Sequence, residues 1–151
     1  MTDTPEQDAA RHAGTFDPER FFGLARSVGH GRALGLDYRA SGDKWIELAL
    51  PWREQLVGSP DSGFFASGAI VSLLDTCGGA SVWMALGHFQ PSATIDLRLV
   101  YLRPAPRGAT VVARCECYRL TRQIAFVRGT AHAGDPDRPV AHAAATFMLN
   151  P

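Results

Sequence analysis

A single carboxylate stands in the most apolar stretch of this sequence. Asp75 is the only charged residue between positions 67 and 87. A buried carboxylate without a partner is costly, so such a group is normally hydrogen-bonded, protonated or used in chemistry. Two interpretations follow: Asp75 is a structural residue that bonds to nearby backbone, or it acts as a general base or nucleophile. We favour the second interpretation.

The stretch around Asp75 predicts a long helix. Its apolar residues recur at spacings of three and four, which places them on one helical face: Ile70, Leu73, Leu74, Cys77, Ala80 and Met84. The other side is also apolar, which predicts a helix buried on all sides. Length alone would allow a membrane-spanning helix, but Asp75, the paired glycines at 78–79 and the scattered Ser and Thr residues argue against one.

The start of this helix is a second candidate for chemistry. Ser67 is expected to cap it, and Gly68 follows. The first N–H groups of a helix have no partner within the helix, so they favour an anion or a polarised carbonyl.

Length and composition limit the function further. The chain has 151 residues, which indicates one domain, and its 15 basic residues balance its 15 acidic ones without a long basic run. Neither a nucleic acid nor a membrane is therefore expected as a partner. Three cysteines without CxxC spacing support neither a zinc site nor a disulfide framework, so no metal or cofactor is expected. The N-terminus shows no signal pattern, which favours the cytoplasm.

The rest of the chain predicts elements that surround the long helix. Residues 1–16 are expected to form a loose tail, and residues 17–151 a single domain. Asp17 at the N-cap and Pro18 after it predict a short helix over 17–27, with Phe21, Leu24 and Ala25 on its buried side. Alternating apolar residues predict strands over residues 29–39, 43–50, 94–102, 111–120, 123–133 and 139–149. This order indicates an α+β fold in which an antiparallel sheet wraps around one helix.

Two motifs in these elements resemble a known family. The segments LLDTCGG (73–79) and TIDLRLVYLRP (94–104) are similar to those of the hotdog-fold acyl-CoA thioesterases, most closely the phenylacetate-degradation (PaaI-like) subfamily. The shorter segments IAFV (124–127) and AAATF (143–147) belong to the same pattern. The similarity runs from about residue 34 to the C-terminus and implies the hotdog fold.

The resemblance implies catalytic roles for four residues. Asp75 would act as general base or nucleophile toward the thioester of an acyl-CoA substrate. Backbone N–H groups at Ser67 and Gly68 would hold the thioester carbonyl as an oxyanion hole. Thr94 would orient the attacking water. Substrate-binding positions for CoA are similarly implied at Tyr101, Arg119 and Arg122.

Helix geometry adds that two chains should share one site. Asp75 lies seven residues after Gly68, or about 10 Å along the axis at about 1.5 Å per residue. Reacting groups must approach to about 3 Å, so a carbonyl held by the helix start would need Asp75 of another chain. A symmetric homodimer is therefore expected. The family resemblance agrees and allows a dimer of dimers.

The sequence also departs from the family pattern. The family usually has His-Gly-Gly at the helix start and an Asn or Gln in the preceding loop. This chain has Ala66, Ser67 and Gly68 there, and its loop at 58–63 contains neither amide. A hotdog protein that binds acyl-CoA or another small ligand without catalysis is thus the alternative. A dehydratase of the same fold is weaker because its usual helical His is missing. The histidines at 30, 88, 132 and 142 are expected to be solvated.

Overall fold

The computed structural model describes residues 15–149. In chain order, its elements are α1 (Pro18–Ala25), α2 (Gly29–Leu34), β1 (Asp37–Ser41), β2 (Trp45–Leu50), a 3-10 turn (Glu54–Leu56), α3 (Ser67–Leu86), β3 (Ser92–Tyr101), β4 (Val111–Leu120), β5 (Ile124–His132) and β6 (Pro139–Leu149). All neighbouring strands are antiparallel, and they form one sheet in the order β1-β2-β4-β5-β6-β3. The predicted α+β architecture is confirmed.

The central helix α3 packs along the inner face of this sheet, mainly on β2, β4 and β5. Leu73, Leu74 and Cys77 are buried there. A Cβ atom on Gly78 would lie 3.1 Å from the ring of Phe147 on β6, which is why this position favours glycine. By length and composition α3 could cross a membrane, but 56% of that stretch is buried within the described fold, as in the core helix of a globular domain.

The expectation that α3 is buried on all sides is wrong. One strip of the helix stays open, in which Gly68 and Val71 are exposed and Ser72 and Asp75 are half-buried. The sheet covers one side of α3, and α1 and α2 cover only part of the other. The strip lies next to the edge strand β3, which is hydrogen-bonded to α3 through Thr94 and Tyr101.

The N-terminal elements differ from the prediction in two respects. Asp17 caps α1 as expected, since the Arg20 N–H donates to Asp17 Oδ1 at 3.1 Å. The predicted buried residue Leu24 is instead 64% exposed, and Phe22 is buried at 2%, because Phe22 is the residue that α1 turns toward the core. Phe16, placed in the tail by the prediction, packs against Phe21 and Trp83 and therefore belongs to the domain. Residues 1–14 of the predicted tail lie outside the described residues.

The strand predicted over residues 29–39 is also wrong. Its first part forms the short helix α2, and only its end contributes to β1. Gly35 explains the break: its φ of +67° ends α2 in the left-handed conformation that glycine adopts readily. The other five predicted strands are confirmed to within two residues at each end.

Candidate active site

Asp75 and Thr94 form the polar centre of the open strip on α3. The Thr94 hydroxyl on β3 donates a hydrogen bond of 2.8 Å to Asp75 Oδ1. Asp75 is half-buried and Thr94 is exposed, so water and substrate can reach the carboxylate. The structure therefore brings together the two residues for which the family resemblance implies a base and a water-orienting hydroxyl.

A β-bulge in β3 makes this contact possible. In a regular strand, residues seven apart point to opposite faces of the sheet, yet Thr94 and Tyr101 both bond to α3. The pairing of β3 with β6 shifts by one residue between Thr94 and Asp96, which adds one residue to β3 and reverses the alternation of faces. Strict alternation over residues 94–102 would place Thr94 on the face opposite Tyr101, so the bulge is what turns Thr94 toward α3.

The start of α3 presents backbone N–H groups to solvent. Ala66, rather than the predicted Ser67, is the N-cap, and it makes no side-chain capping bond. The Ala69 N–H donates to the Ala66 carbonyl at 3.0 Å. Ser67 and Gly68 come before the point at which N–H groups find partners within a helix, and both residues are exposed. These two amides can therefore bind an oxyanion.

Tyr101 holds the end of β3 against this helix start. Its hydroxyl donates to the Ser67 carbonyl at 3.1 Å. Partial burial raises the pKa of the Tyr101 phenol, and the hydrogen bond to Ser67 lowers it in part. Tyr101 thus positions the candidate oxyanion site as a neutral donor.

Within one chain, these groups lie in separate places. Asp75 is seven residues beyond Gly68 in α3, or about 10 Å along its axis. Arg119, at the end of β4, and Arg122, in the turn between β4 and β5, are both exposed. The strand pairings place this turn at the end of the sheet where Thr94 lies. The end where Tyr101 lies is six paired residues further along the strands, or about 20 Å at about 3.3 Å per residue. One chain does not bring the two arginines to its own helix start.

Gln55 is a candidate that the sequence analysis missed. The loop before α3 is a hairpin closed by a β-bridge between Val57 and Phe65. The Ala66 N–H donates to the Leu56 carbonyl at 2.8 Å. The two ends of the hairpin therefore lie side by side. Gln55, in the 3-10 turn at one end, is placed beside the start of α3 at the other. Gln55 thus carries an amide three residues before the segment 58–63, in which the sequence has neither Asn nor Gln.

His30 is the second residue whose setting was not predicted. It lies on α2, and its Nε2 is 3.2 Å from the Ser72 hydroxyl on α3. Ser72 is three residues before Asp75 and so lies on the same helical face. Although His30 is exposed, it is hydrogen-bonded rather than free in solvent. Within residues 15–149, no three His, Cys, Asp or Glu side chains come together as a metal site.

Taken together, the groups suit attack on a polarised carbonyl. A hydroxyl-bonded carboxylate supplies a base or nucleophile, and free helix N–H groups supply a site for developing negative charge. An antiparallel sheet around a single long helix, with these groups along the helix, defines a hotdog-fold acyl-transfer or hydrolysis site.

Comparison with known proteins agrees with this class. The Thioesterase superfamily pattern matches residues 63–140, just over half of the chain. The Salmonella typhimurium protein named medium/long-chain acyl-CoA thioesterase YigI is 30% identical over 131 residues, which cover 78% of this chain and 83% of YigI. The Halobacterium salinarum protein VNG_1336C is 37% identical over 75 residues, about half of each chain.

A solved structure shows the same fold at higher identity. A Pseudomonas aeruginosa protein is 39% identical and superposes with a TM-score of 0.74 over 86% of this chain and 94% of that one. The chain belongs to the Thioesterase superfamily, and as a member it is a thioester hydrolase.

Proposed function

We propose that this protein hydrolyses acyl-CoA thioesters to the free acid and CoA. The observation that carries the proposal is the hydrogen bond between Thr94 and Asp75 on the open strip of α3. A structural aspartate would be expected to bond to backbone or to a cation, whereas this one holds a hydroxyl at a solvent-accessible face. The similarity to YigI, which is named a medium/long-chain acyl-CoA thioesterase, supports the same substrate class.

In the proposed reaction, the thioester carbonyl binds at the N–H groups of Ser67 and Gly68. Water oriented by Thr94 attacks the carbonyl carbon while Asp75 takes its proton. The C–S bond then breaks, and the proton passes to the leaving CoA thiolate. Direct attack by Asp75, followed by hydrolysis of the mixed anhydride, uses the same groups. In either route, one oxyanion donor contributes about 100- to 1000-fold in rate.

The separation of about 10 Å between the helix start and Asp75 supports a site shared by two chains. β3 is the sheet edge suited to such pairing, since it has ten residues and exposes Ile95, Val100 and Tyr101 at 52%, 44% and 47%. Long apolar edges readily pair with another strand. The opposite edge, β1, has only five residues, so it offers a shorter template.

We propose a homodimer in which β3 pairs antiparallel with β3 of a second copy. A two-fold axis through the middle of β3 reverses the ends of the sheet. The helix start of one chain then faces Asp75 and Thr94 of its partner. The same rotation brings Arg119 and Arg122 to the helix-start end, where they can bind the CoA phosphates. A cytoplasmic location is part of the proposal, supported by three free cysteines.

Gln55 completes the proposed site. Because Gln55 lies beside the start of α3, its amide can donate to the thioester or hold the attacking water. We assign to it the role of the Asn or Gln that the family usually has in the loop before the helix. Its presence favours catalysis over the alternative of a binding protein that has lost its activity. The motifs at 73–79 and 94–104 support placement in the PaaI-like subfamily as a proposal.

The test is release of free thiol from a panel of acyl-CoA substrates by the wild-type chain and by Asp75→Asn. Asparagine keeps the shape of the side chain but removes the base, so turnover should fall by at least about 100-fold with the circular dichroism spectrum unchanged. Asp43→Asn, in the exposed turn between β1 and β2, is the matched control and should retain activity. Near-normal turnover in Asp75→Asn would contradict the proposed role.

A further inference from the structure

Arg53 comes directly before the 3-10 turn that carries Gln55, and its side chain reaches across to α2. The Nη1 group of Arg53 donates to the carbonyls of Arg32 and Ala33, at 3.3 and 3.4 Å. Since Nη1 carries two N–H bonds, it can serve both carbonyls. They belong to the last turn of α2, where helix carbonyls have no partner within the helix and a positive charge is favoured. The guanidinium therefore caps α2 from a distant part of the chain.

Gly35 leaves room for this guanidinium. A Cβ atom at position 35 would lie 2.6 Å from Cζ of Arg53, so any side chain there would displace the guanidinium. Gly35 also has the positive φ that ends α2. The residue thus has two functions, since it ends the helix and admits the side chain that caps it.

The short helix α2 is itself held in place and can serve as an anchor. His30 Nε2, near its start, is 3.2 Å from the Ser72 hydroxyl on α3. Gly31 packs so closely on the end of α1 that a Cβ atom there would collide with the Ala25 carbonyl. Arg53 therefore binds to an element that contacts both α1 and α3.

The backbone is tied on both sides of Gln55. The Leu56 N–H donates to the Arg53 carbonyl at 3.0 Å, which closes the 3-10 turn around Gln55. The Leu56 carbonyl in turn accepts from the Ala66 N–H at the start of α3. The Gln55 side chain is exposed and makes no hydrogen bond within residues 15–149. Its amide is therefore available to a substrate while its backbone is fixed.

We propose that Arg53 is a positioning residue for Gln55: its contact with α2 fixes the turn that presents the Gln55 amide to the thioester. This inference rests on the proposed function, in which that amide contacts the thioester or the attacking water. The guanidinium faces the carbonyls of α2, so Arg53 acts through the turn and not on the substrate. Because a displacement of about 1 Å in a catalytic group can cost about 100-fold in rate, loss of the contact should lower kcat.

The test is a double-mutant cycle between positions 53 and 55, measured with an acyl-CoA that the wild-type chain hydrolyses. Arg53→Ala should lower kcat at least about fivefold, but by no more than Gln55→Ala does. KM should change by less than about twofold, because an interaction made only in the transition state affects kcat alone. In the Gln55→Ala background, Arg53→Ala should lower kcat by less than about twofold, since the amide through which it acts is already absent.

Two variants complete the kinetic comparison. Arg53→Lys keeps a cation that can donate to a carbonyl of α2, so it should retain more activity than Arg53→Ala. Arg32→Ala is the matched control, because it removes an exposed arginine from α2 itself and leaves the backbone carbonyl that Arg53 uses. It should keep the kcat of the wild-type chain.

Amide hydrogen exchange supplies a readout that does not depend on hydrolysis. The N–H groups of Leu56 and Val57 donate to the carbonyls of Arg53 and Glu54, so their exchange rates report on opening of the turn. Arg53→Ala should raise both rates at least about tenfold, whereas Arg32→Ala should leave them unchanged. Arg53→Gln replaces Arg53→Ala if the alanine variant does not fold.

The possible outcomes separate the two proposals. If the wild-type chain hydrolyses no acyl-CoA but Arg53→Ala still speeds exchange of the two amides, the thioesterase proposal fails and Arg53 remains the residue that fixes the turn. If thioesters are hydrolysed but Arg53→Ala lowers kcat by the same factor with and without the Gln55 side chain, the positioning inference is overturned. Unchanged kcat and unchanged amide exchange in Arg53→Ala would overturn it as well.

Discussion

The shared site can be tested by joining two inactive chains. Gly68→Leu places a bulky side chain at the helix start, where the thioester carbonyl is expected to bind. A Cβ atom at Gly68 meets nothing within 4 Å, and leucine is favoured over glycine in a helix by about 0.8 kcal/mol, so the fold should persist. Asp75→Asn removes the carboxylate about 10 Å further along α3. Each homodimer should lose at least about 100-fold in activity.

A heterodimer of the two variants distinguishes the possible arrangements. If each site combines the helix start of one chain with Asp75 of the other, one site carries both lesions and the other carries none. Such a heterodimer should recover about half of the wild-type specific activity, since a two-fold dimer has two equivalent sites. If each chain builds its own site, both sites carry a lesion and activity should stay near 1%, following from the about 100-fold loss.

The measurement uses chains with two different affinity tags, purified in sequence and assayed for thiol release. The Gly68→Ala homodimer is the control for size at position 68 and should retain most of its activity. Absence of recovery in a purified heterodimer would refute the argument from helix length.

Two further predictions concern substrate contacts. Gln55→Ala should lower kcat about 10- to 100-fold, because it removes an amide hydrogen bond to a developing charge that is worth about 1.5–3 kcal/mol. Gln55→Asn keeps an amide and should retain more activity. Equal steady-state activity of the wild type and both variants would show that Gln55 is not part of the site. Replacing Arg119 and Arg122 together by Ala should raise KM for acyl-CoA far more than KM for the matching pantetheine thioester, which lacks the nucleotide phosphates. Equal changes for both substrates would show that the arginines do not bind phosphate.

The sequence predicts the parts of this fold that depend on periodic apolar residues. The spacing around Asp75 predicts α3 to within one residue at each end, and alternation locates five of the six strands. These features follow from burial on one face of a regular element. The antiparallel sheet around one helix then follows from the order of the elements.

Features that depend on a single backbone conformation were not predictable in the same way. The bulge in β3 turns Thr94 toward Asp75, although the alternation of residues 94–102 is unbroken in the sequence. Likewise, Gly35 stops α2 through its positive φ, and the short segment before it carries no helical pattern. The open strip on α3 was not predicted, because residues such as Gly68 and Val71 are compatible both with a buried core and with a surface that packs against another chain.

The closed hairpin before α3 has a consequence for comparing relatives. Its tip is secured independently of the helix: the Trp52 indole N–H donates to the Gly63 carbonyl at 3.0 Å, and Arg107 donates to the Pro60 carbonyl at 2.9 Å. Because Leu56 and Ala66 are joined at its base, residues between them can be added or removed while Gln55 and the helix start keep their spacing in space. In a relative whose hairpin has a different length, counting residues back from the helical aspartate would therefore not find the position equivalent to Gln55. That position has to be assigned from the base of the hairpin.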